Sequence, residues 1–315
     1  MPVRVGVIGV GRWGQNHVRI YRELGCSLAG VSDTNPAVEE IAGELGIRYF
    51  PDYRELLPNV DAVSVVVPTN AHYRVVKDCL EAGKHVLVEK PLTLDSSEAL
   101  DLIKTARRKR LVLMVGYLFR YNAAVTELKR QLRTAGDISY ITARYIHSNK
   151  PPRKDCGVIF NFATHLIDIL NFLLDEKPKS VFCRKINCLS KEREDCAFVL
   201  LEYRNFSACL EVTWLHPLKK RDMWIIGSKE KIYADFLEQM ITRYPIVVTQ
   251  DKVESGKEVN VDIRKNEPLK EEIKSFVGAV ESGRMVDAED EYMITRICEK
   301  CIESSESGRK AEVGP

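Results

Sequence analysis

The chain has 315 residues, with 47 Lys+Arg against 45 Asp+Glu for a formal net charge of +2. That length supplies material for about two domains, and the near-balanced charge, with no long basic stripe or acidic tail, argues against nucleic acid and membrane surfaces as partners. No apolar run approaches the ~20 residues of a membrane span, and the N-terminus enters a strand pattern directly, without a basic or signal-like leader. From there to about residue 115, short apolar runs alternate with helical patterns, the rhythm of βαβ units. Strands are predicted at Val3–Ile8, Leu28–Val31, Ala62–Val67, His85–Val88 and Val112–Val115. Helices are predicted at Gln15–Leu24, Ala37–Leu45, Tyr73–Ala82 and Ser96–Lys109, the last capped by Asp95, whose carboxylate can accept the free amides of the first turn. Apolar strands alternating with helices imply a parallel sheet covered on both faces.

After Gly116 the pattern changes. Ala123–Leu132 reads as a helix, Ile138–Ile146 alternates as a half-buried strand, and a polar segment runs from Ser148 to Asp155. Val158–Leu174 reads as one long buried helix. Strand patterns follow at Ser180–Ile186, Ala197–Tyr203, Ser207–Trp214, Met223–Gly227 and Lys231–Phe236, then helices at Pro268–Glu281 and Glu289–Ser304. Consecutive strands without intervening helices favour antiparallel pairing. The expected architecture is an α/β Rossmann domain over residues 1–118 and an α+β domain with a large, mainly antiparallel open sheet over residues 119–315. The second domain is expected to bind substrate and to mediate association between copies.

Nine cysteines are dispersed through the chain. Such a set reads as reduced thiols in a cytoplasmic protein. Cys298 and Cys301 form a C-x-x-C, but zinc needs two further ligands at suitable spacing and none is present, so no metal is expected.

Gly9-Val10-Gly11-Arg12-Trp13-Gly14 matches G-x-G-x-x-G in the required context, after a strand and opening a helix. Glycines there let the backbone turn tightly and approach a pyrophosphate at the helix N-terminus. Asp33 ends the next strand at close to the expected ~20-residue spacing. A carboxylate there accepts ribose hydroxyls and repels a 2′-phosphate, and no Arg follows it in Thr34-Asn35-Pro36, so NAD is favoured over NADP. Pro68-Thr69-Asn70-Ala71-His72 follows the third strand at the carboxyl edge, where its polar side chains can meet a cofactor; His72 reads equally as a helix-start residue. Lys90 ends the next strand at the same edge. A desolvated lysine near a cationic nicotinamide has a lowered pKa and can exchange protons near neutrality.

The fingerprint, Pro68-Thr69-Asn70-Ala71-His72, Glu89-Lys90-Pro91, Gly116-Tyr117-Leu118-Phe119-Arg120-Tyr121-Asn122 and Thr164-His165-Leu166-Ile167-Asp168 occur in that order. In this the chain resembles the glucose–fructose oxidoreductase/inositol dehydrogenase (Gfo/Idh/MocA) family over essentially its whole length. The resemblance implies an NAD(P)-dependent dehydrogenase of sugars or polyols, with Lys90 touching cofactor and substrate and His165 as acid/base from the long helix. The implied cofactor set is Gly9, Gly11, Arg12, Trp13, Gly14, Asp33, Thr69, Asn70, His72, Glu89 and Lys90. Many relatives carry Asp four residues before that His; here Asn161 stands there. Asn161 lies on the same helix face as His165 and can hydrogen-bond substrate, but it cannot relay a proton as a carboxylate does. Lys90 and His165 are then the expected acid/base pair, with Asp168 structural and Arg120 framing the substrate.

Pro151–Ile159 and Trp214–Arg221 resemble segments of nucleotide-sugar 3-dehydrogenases, which act on UDP-N-acetylglucosamine or its uronate. Lys150, Arg153, Lys154 and Lys219–Arg221 form cationic loops that read either as a diphosphate site or as solvated charge. Tyr145 reads as a sugar contact or as a sheet residue. Two rival functions remain: an inositol or free-sugar dehydrogenase of the same family, and an NAD-binding regulator without turnover. By resemblance, a homodimer or homotetramer is expected.

Overall fold

A computed structural model describes residues 2–148, 152–285 and 289–314. The chain divides into two compact units, one of residues 1–117 with 269–295 and one of 118–268 with 296–315. The first holds six parallel strands: β1 Arg4–Ile8, β2 Ser27–Ser32, β3 Tyr49–Phe50, β4 Ala62–Val65, β5 His85–Glu89 and β6 Leu113–Gly116, in the order β3-β2-β1-β4-β5-β6. Helices α1 Gly14–Glu23, α2 Ala37–Glu44, the short α3 Tyr53–Leu56, α4 His72–Glu81 and α5 Ser96–Lys109 connect them. The central strands are buried through their middles: Val5, Val7, Val63, Val65, Val86 and Val88 are inaccessible. Burial of this kind suits β-branched side chains between helical layers. Strand order reverses between β1 and β4, the position at which open parallel sheets bind ligands beyond their carboxyl ends. Asp95 caps α5 as expected, accepting from the amides of Ser97 and Glu98.

The second unit opens with α6 Ala123–Gln131. Its strands are β7 Ile138–Ile146, β8 Ser180–Ile186, β9 Cys196–Glu202, β10 Ser207–Thr213, β11 Lys220–Gly227, β12 Lys231–Asp235 and β13 Met240–Tyr244. A separate hairpin, β14 Ile246–Val248 with β15 Val253–Ser255, precedes β16 Val259–Val261. The nine-stranded sheet runs β16-β13-β12-β11-β7-β10-β9-β8-β17, where β17 is Ala311–Glu312. Every pairing in it is antiparallel except β7 with β10. The α/β plus mainly antiparallel α+β architecture is therefore as expected.

The predicted helix 158–174 has two parts. Ile159–Ala163 is a π-helical turn, and α7 Thr164–Leu174 continues from it. The carboxylate of Glu194 meets the free end of this segment, accepting the Ile159 amide at 2.9 Å. Gly157 makes room for it: a Cβ there would lie 2.1 Å from the Glu194 carboxyl. Helix α8 Pro268–Ser282 belongs to the first unit, and α9 Glu289–Ser307 spans the boundary between the two. No described helix is long and apolar enough to cross a membrane.

Candidate functional site

In the first unit the predicted cofactor residues gather at the carboxyl edge of the six-stranded sheet. The turn after β1 is dictated by close backbone approach. Gly9 has φ +90°, and a Cβ on it would sit 2.5 Å from the Val66 carbonyl oxygen; a Cβ on Gly14 would sit 1.9 Å from the Gly9 carbonyl oxygen. By contrast, a Cβ on Gly11 would meet no atom within 4 Å. Two glycines thus close the loop on itself, and the third borders open space. The first turn of α1 carries no acidic residue, so its free amides and the positive end of the helix dipole suit an anion. This cradle fits the pyrophosphate of a dinucleotide.

Asp33, at the end of β2, is half-buried and accepts the Val10 amide at 2.7 Å and the Asn35 amide at 2.8 Å. Its carboxylate is thereby fixed beside the glycine loop. Beyond β4, Thr69 is buried and Asn70 exposed on one 3₁₀ turn. His72 is the first residue of α4, with Nδ1 2.8 Å from the Pro91 carbonyl oxygen and Nε2 2.9 Å from that of Val67. It joins the end of β4 to the segment following Lys90, whose bond to Pro91 is cis. Lys90 itself stands directly after β5, half-buried.

Glu89 shows where the edge is held together. Its Oε1 accepts the indole N–H of Trp13 at 2.6 Å and lies 3.2 Å from Nε2 of His17. Burial pushes this carboxyl's pKa up, but His17, Trp13 and the charge of Lys90 together hold it below the ordinary carboxylate value. Behind it, His17 Nδ1 lies 3.2 Å from Ser64 Oγ, and Ser64 Oγ 2.8 Å from the Tyr21 hydroxyl. The sequence reading did not single out His17, Ser64 or Tyr21. The available signals were a histidine three residues after Gly14, a tyrosine four residues further on the same helix face, and a lone serine in the apolar run of β4.

In the second unit, His165 and Asn161 are both buried, at 4% and 7% exposure, on α7 and its π-helical turn. Irregular helix of this type recurs at functional sites. Tyr145, the penultimate residue of β7, is buried and stacks on His165 (5.4 Å, 9°) and on Phe162 (4.4 Å, 18°). Phe119 meets the His165 ring edge-on at 5.2 Å. The Arg221 guanidinium lies 4.3 Å from the Tyr145 ring centroid, where the two residues are register partners on β11 and β7. Burial raises the Tyr145 phenol's pKa against the opposing effect of Arg221. His147, two residues on from Tyr145, is also buried beside Phe162 (4.9 Å) and is another member the sequence reading passed over.

Several of the remaining candidates have partners of their own. Arg120 donates to Asp168 through Nε (2.7 Å) and Nη2 (2.6 Å). Asp168 is inaccessible, so it anchors Arg120. Arg153 is paired with Asp155, Lys154 and Lys219 are exposed, and Lys220 stands 3.9 Å from Asp235; Lys150 lies outside the described residues. Cys298 and Cys301 are fully buried on α9, Cys301 hydrogen-bonded to Cys183, and both thiols' pKa values are raised. Among the described residues, no group of three or more His, Cys, Asp or Glu is placed to hold a metal.

Comparison with known proteins places this geometry. Residues 3–117 match the family model described as oxidoreductase family, NAD-binding Rossmann fold, and residues 127–233 match the GFO/IDH/MocA C-terminal domain. The UDP-N-acetylglucosamine 3-dehydrogenase of Acidithiobacillus ferrooxidans is 32% identical over 287 residues, 90% of each chain. Its solved structure superposes with a TM-score of 0.86 over 98% of this chain and 99% of that one, at 30% identity. The myo-inositol 2-dehydrogenase of Thermotoga maritima is 26% identical over 99% of each chain, and the inositol 2-dehydrogenase of Mycolicibacterium smegmatis is 36% identical over 57% of this chain and 55% of its own. The chain belongs to the Gfo/Idh/MocA family of oxidoreductases, with an NAD-binding Rossmann unit.

Proposed function

We propose that this enzyme oxidises the 3-hydroxyl of a UDP-N-acetylhexosamine, or of its uronate, to a ketone. The observation that carries the reading is likeness at 32% identity, over 90% of each chain, to a UDP-N-acetylglucosamine 3-dehydrogenase. The Mycolicibacterium smegmatis inositol dehydrogenase, at higher identity, matches little more than half the chain, and that of Thermotoga maritima, which matches 99% of it, is 26% identical. Arg153, Lys154 and Lys219–Arg221 are consistent with a diphosphate-bearing substrate. Arg221 is held over Tyr145, and Arg153 is held by Asp155.

NAD supplies the hydride acceptor. The chain's own residues supply position and proton transfer. Either Lys90, at the carboxyl edge of the first unit, or His165, on α7 of the second, is the base that takes the hydroxyl proton. His165 is suited to this because Tyr145 and Phe119 fix its ring plane. Asn161 orients the substrate hydroxyl by hydrogen bonding and carries no charge. The test is NADH formation with a panel of UDP-hexosamines, UDP-uronates, inositols and free hexoses. Turnover with UDP-N-acetylhexosamines or their uronates is expected. Turnover with inositol alone would replace the nucleotide-sugar reading, and NAD binding without turnover on any of them would favour the regulator.

The nine-stranded sheet supports self-association. Phe182 pairs with Leu200, Leu200 with Cys209, Cys209 with Thr142 and Thr142 with Trp224 in register. All therefore lie on one face. Phe182, Leu200 and the neighbouring Phe198 are 44%, 36% and 46% exposed, and contiguous apolar surface of this kind marks an interaction site. Sedimentation velocity is expected to show a dimer or tetramer that Leu200→Asp shifts to monomer. A monomeric parent protein would remove this proposal.

A further inference from the structure

We propose that His17 is a positioning residue for the cofactor loop. It holds the Glu89 carboxylate where it receives the Trp13 indole, and so ties the glycine loop to the strand end that carries Lys90. This rests on the reading of Gly9–Gly14 as the loop that holds NAD.

With Glu89 ionised and the His17 ring neutral, the hydrogen-bond chain has one consistent direction. An ionised Glu89 carboxylate accepts and cannot donate, so the proton in the 3.2 Å contact sits on His17 Nε2. In the neutral ring Nδ1 is then the acceptor, and the Ser64 hydroxyl donates to it across 3.2 Å. The Ser64 oxygen in turn accepts from Tyr21 across 2.8 Å. Tyr21 is inaccessible and burial raises its phenol pKa, so the far end is a fixed donor. Each hydrogen has one acceptor and no two donors face each other. The chain ends on Trp13, a residue that is 42% exposed but whose indole N–H is held at 2.6 Å by Glu89. An exposed indole otherwise samples several rotamers. Here its orientation is set from inside the sheet.

The side chains also come from three elements. His17 and Tyr21 lie on α1, Ser64 on β4 and Glu89 on β5. The chain therefore crosses the point where the strand order reverses, the place a dinucleotide would occupy. Any buried histidine must satisfy both ring nitrogens; what sets His17 apart is that its Nε2 partner, Glu89 Oε1, is the same atom that receives the Trp13 indole.

NAD affinity of the full-length protein, measured by titration calorimetry without substrate, tests the proposal. His17→Leu is expected to weaken NAD about tenfold, the scale of one charge-assisted hydrogen bond, while His17→Gln, which keeps an N–H donor, recovers to within about threefold. Trp13→Phe is expected to weaken NAD similarly, and the double variant with His17→Leu to be no weaker than the worse single one, because both break the same tie. Parental affinity in a folded His17→Leu protein, or two effects that multiply, would overturn the proposal. If His17→Leu does not fold, the ring nitrogen shifts of His17 in the unmodified protein decide: Nε2–H is expected, and an Nδ1–H tautomer would overturn it. Gly11→Asp separates the underlying reading. It places a carboxylate in the open space beside the loop, and undiminished NAD binding there would show that the loop is not the cofactor's site.

Discussion

Lys90→Ala is expected to bind NAD with near-parental affinity and to lose turnover by about 10²–10⁴-fold, the usual worth of a positioned acid/base group. The side chain stands at the end of β5, next in sequence to a Glu89 that is already engaged by Trp13 and His17. Those two bonds do not involve the Lys90 side chain, so its removal leaves them in place. Calorimetric NAD titration and NADH absorbance separate the two quantities. A small primary amine added to the alanine variant is expected to restore part of the rate if proton transfer is what was lost. Unchanged turnover would remove Lys90 from the chemistry and leave His165 as the sole candidate.

The second large effect is on the glycine loop, where two neighbouring positions are expected to respond oppositely. At Gly14 an added methyl would lie 1.9 Å from the Gly9 carbonyl oxygen. That oxygen cannot retreat freely, because Gly9 itself is packed against the Val66 backbone at positive φ. Gly14→Ala is expected to destabilise the first unit by more than about 4 kcal/mol, at the extreme end of single substitutions, and to abolish NAD binding. At Gly11 the same methyl meets nothing within 4 Å, so Gly11→Ala is expected to leave the melting temperature within about 2 °C of the parent. Its NAD affinity then reports directly on how closely the cofactor approaches that bare backbone. Thermal melting and NAD titration on the pair check both statements. Equal destabilisation at both positions would contradict the described loop.

The strongly periodic elements were legible from sequence because each has one physical cause. Ala62–Val65 is buried throughout, with β-branched Val63 and Val65, Ile138–Ile146 alternates, and Asp95 announces the start of α5. What escaped was set by tertiary context. Tyr49–Phe50 is a strand of two residues, too short to show a period. Val259–Val261 is largely exposed and is a strand only because β13 offers an edge. The π-helical turn at Ile159–Ala163 reads as ordinary helix from sequence, since the periodicities of the two forms are indistinguishable over five residues. At the site, glycine spacing revealed the loop and the strand end revealed Lys90. The tie from Glu89 to Trp13 spans 76 positions, and no local pattern predicts such a contact. Tyr145 was recognised as ambiguous; its stacking on His165 makes it part of that histidine's surroundings, whether or not it also meets a sugar.

The single parallel pairing in the large sheet has a consequence for synthesis. Strand β7 lies between β10 and β11, yet both follow β8 and β9 in the chain. As the polypeptide leaves the ribosome, β8 and β9 can zip together as a hairpin at once, while β7 waits with both edges bare. Non-local pairings of this kind slow folding and leave apolar strands exposed in the interim. The second unit is thus a fold that completes late, and a nascent chain stalled before Lys220 would carry its central strand without its partner on one side.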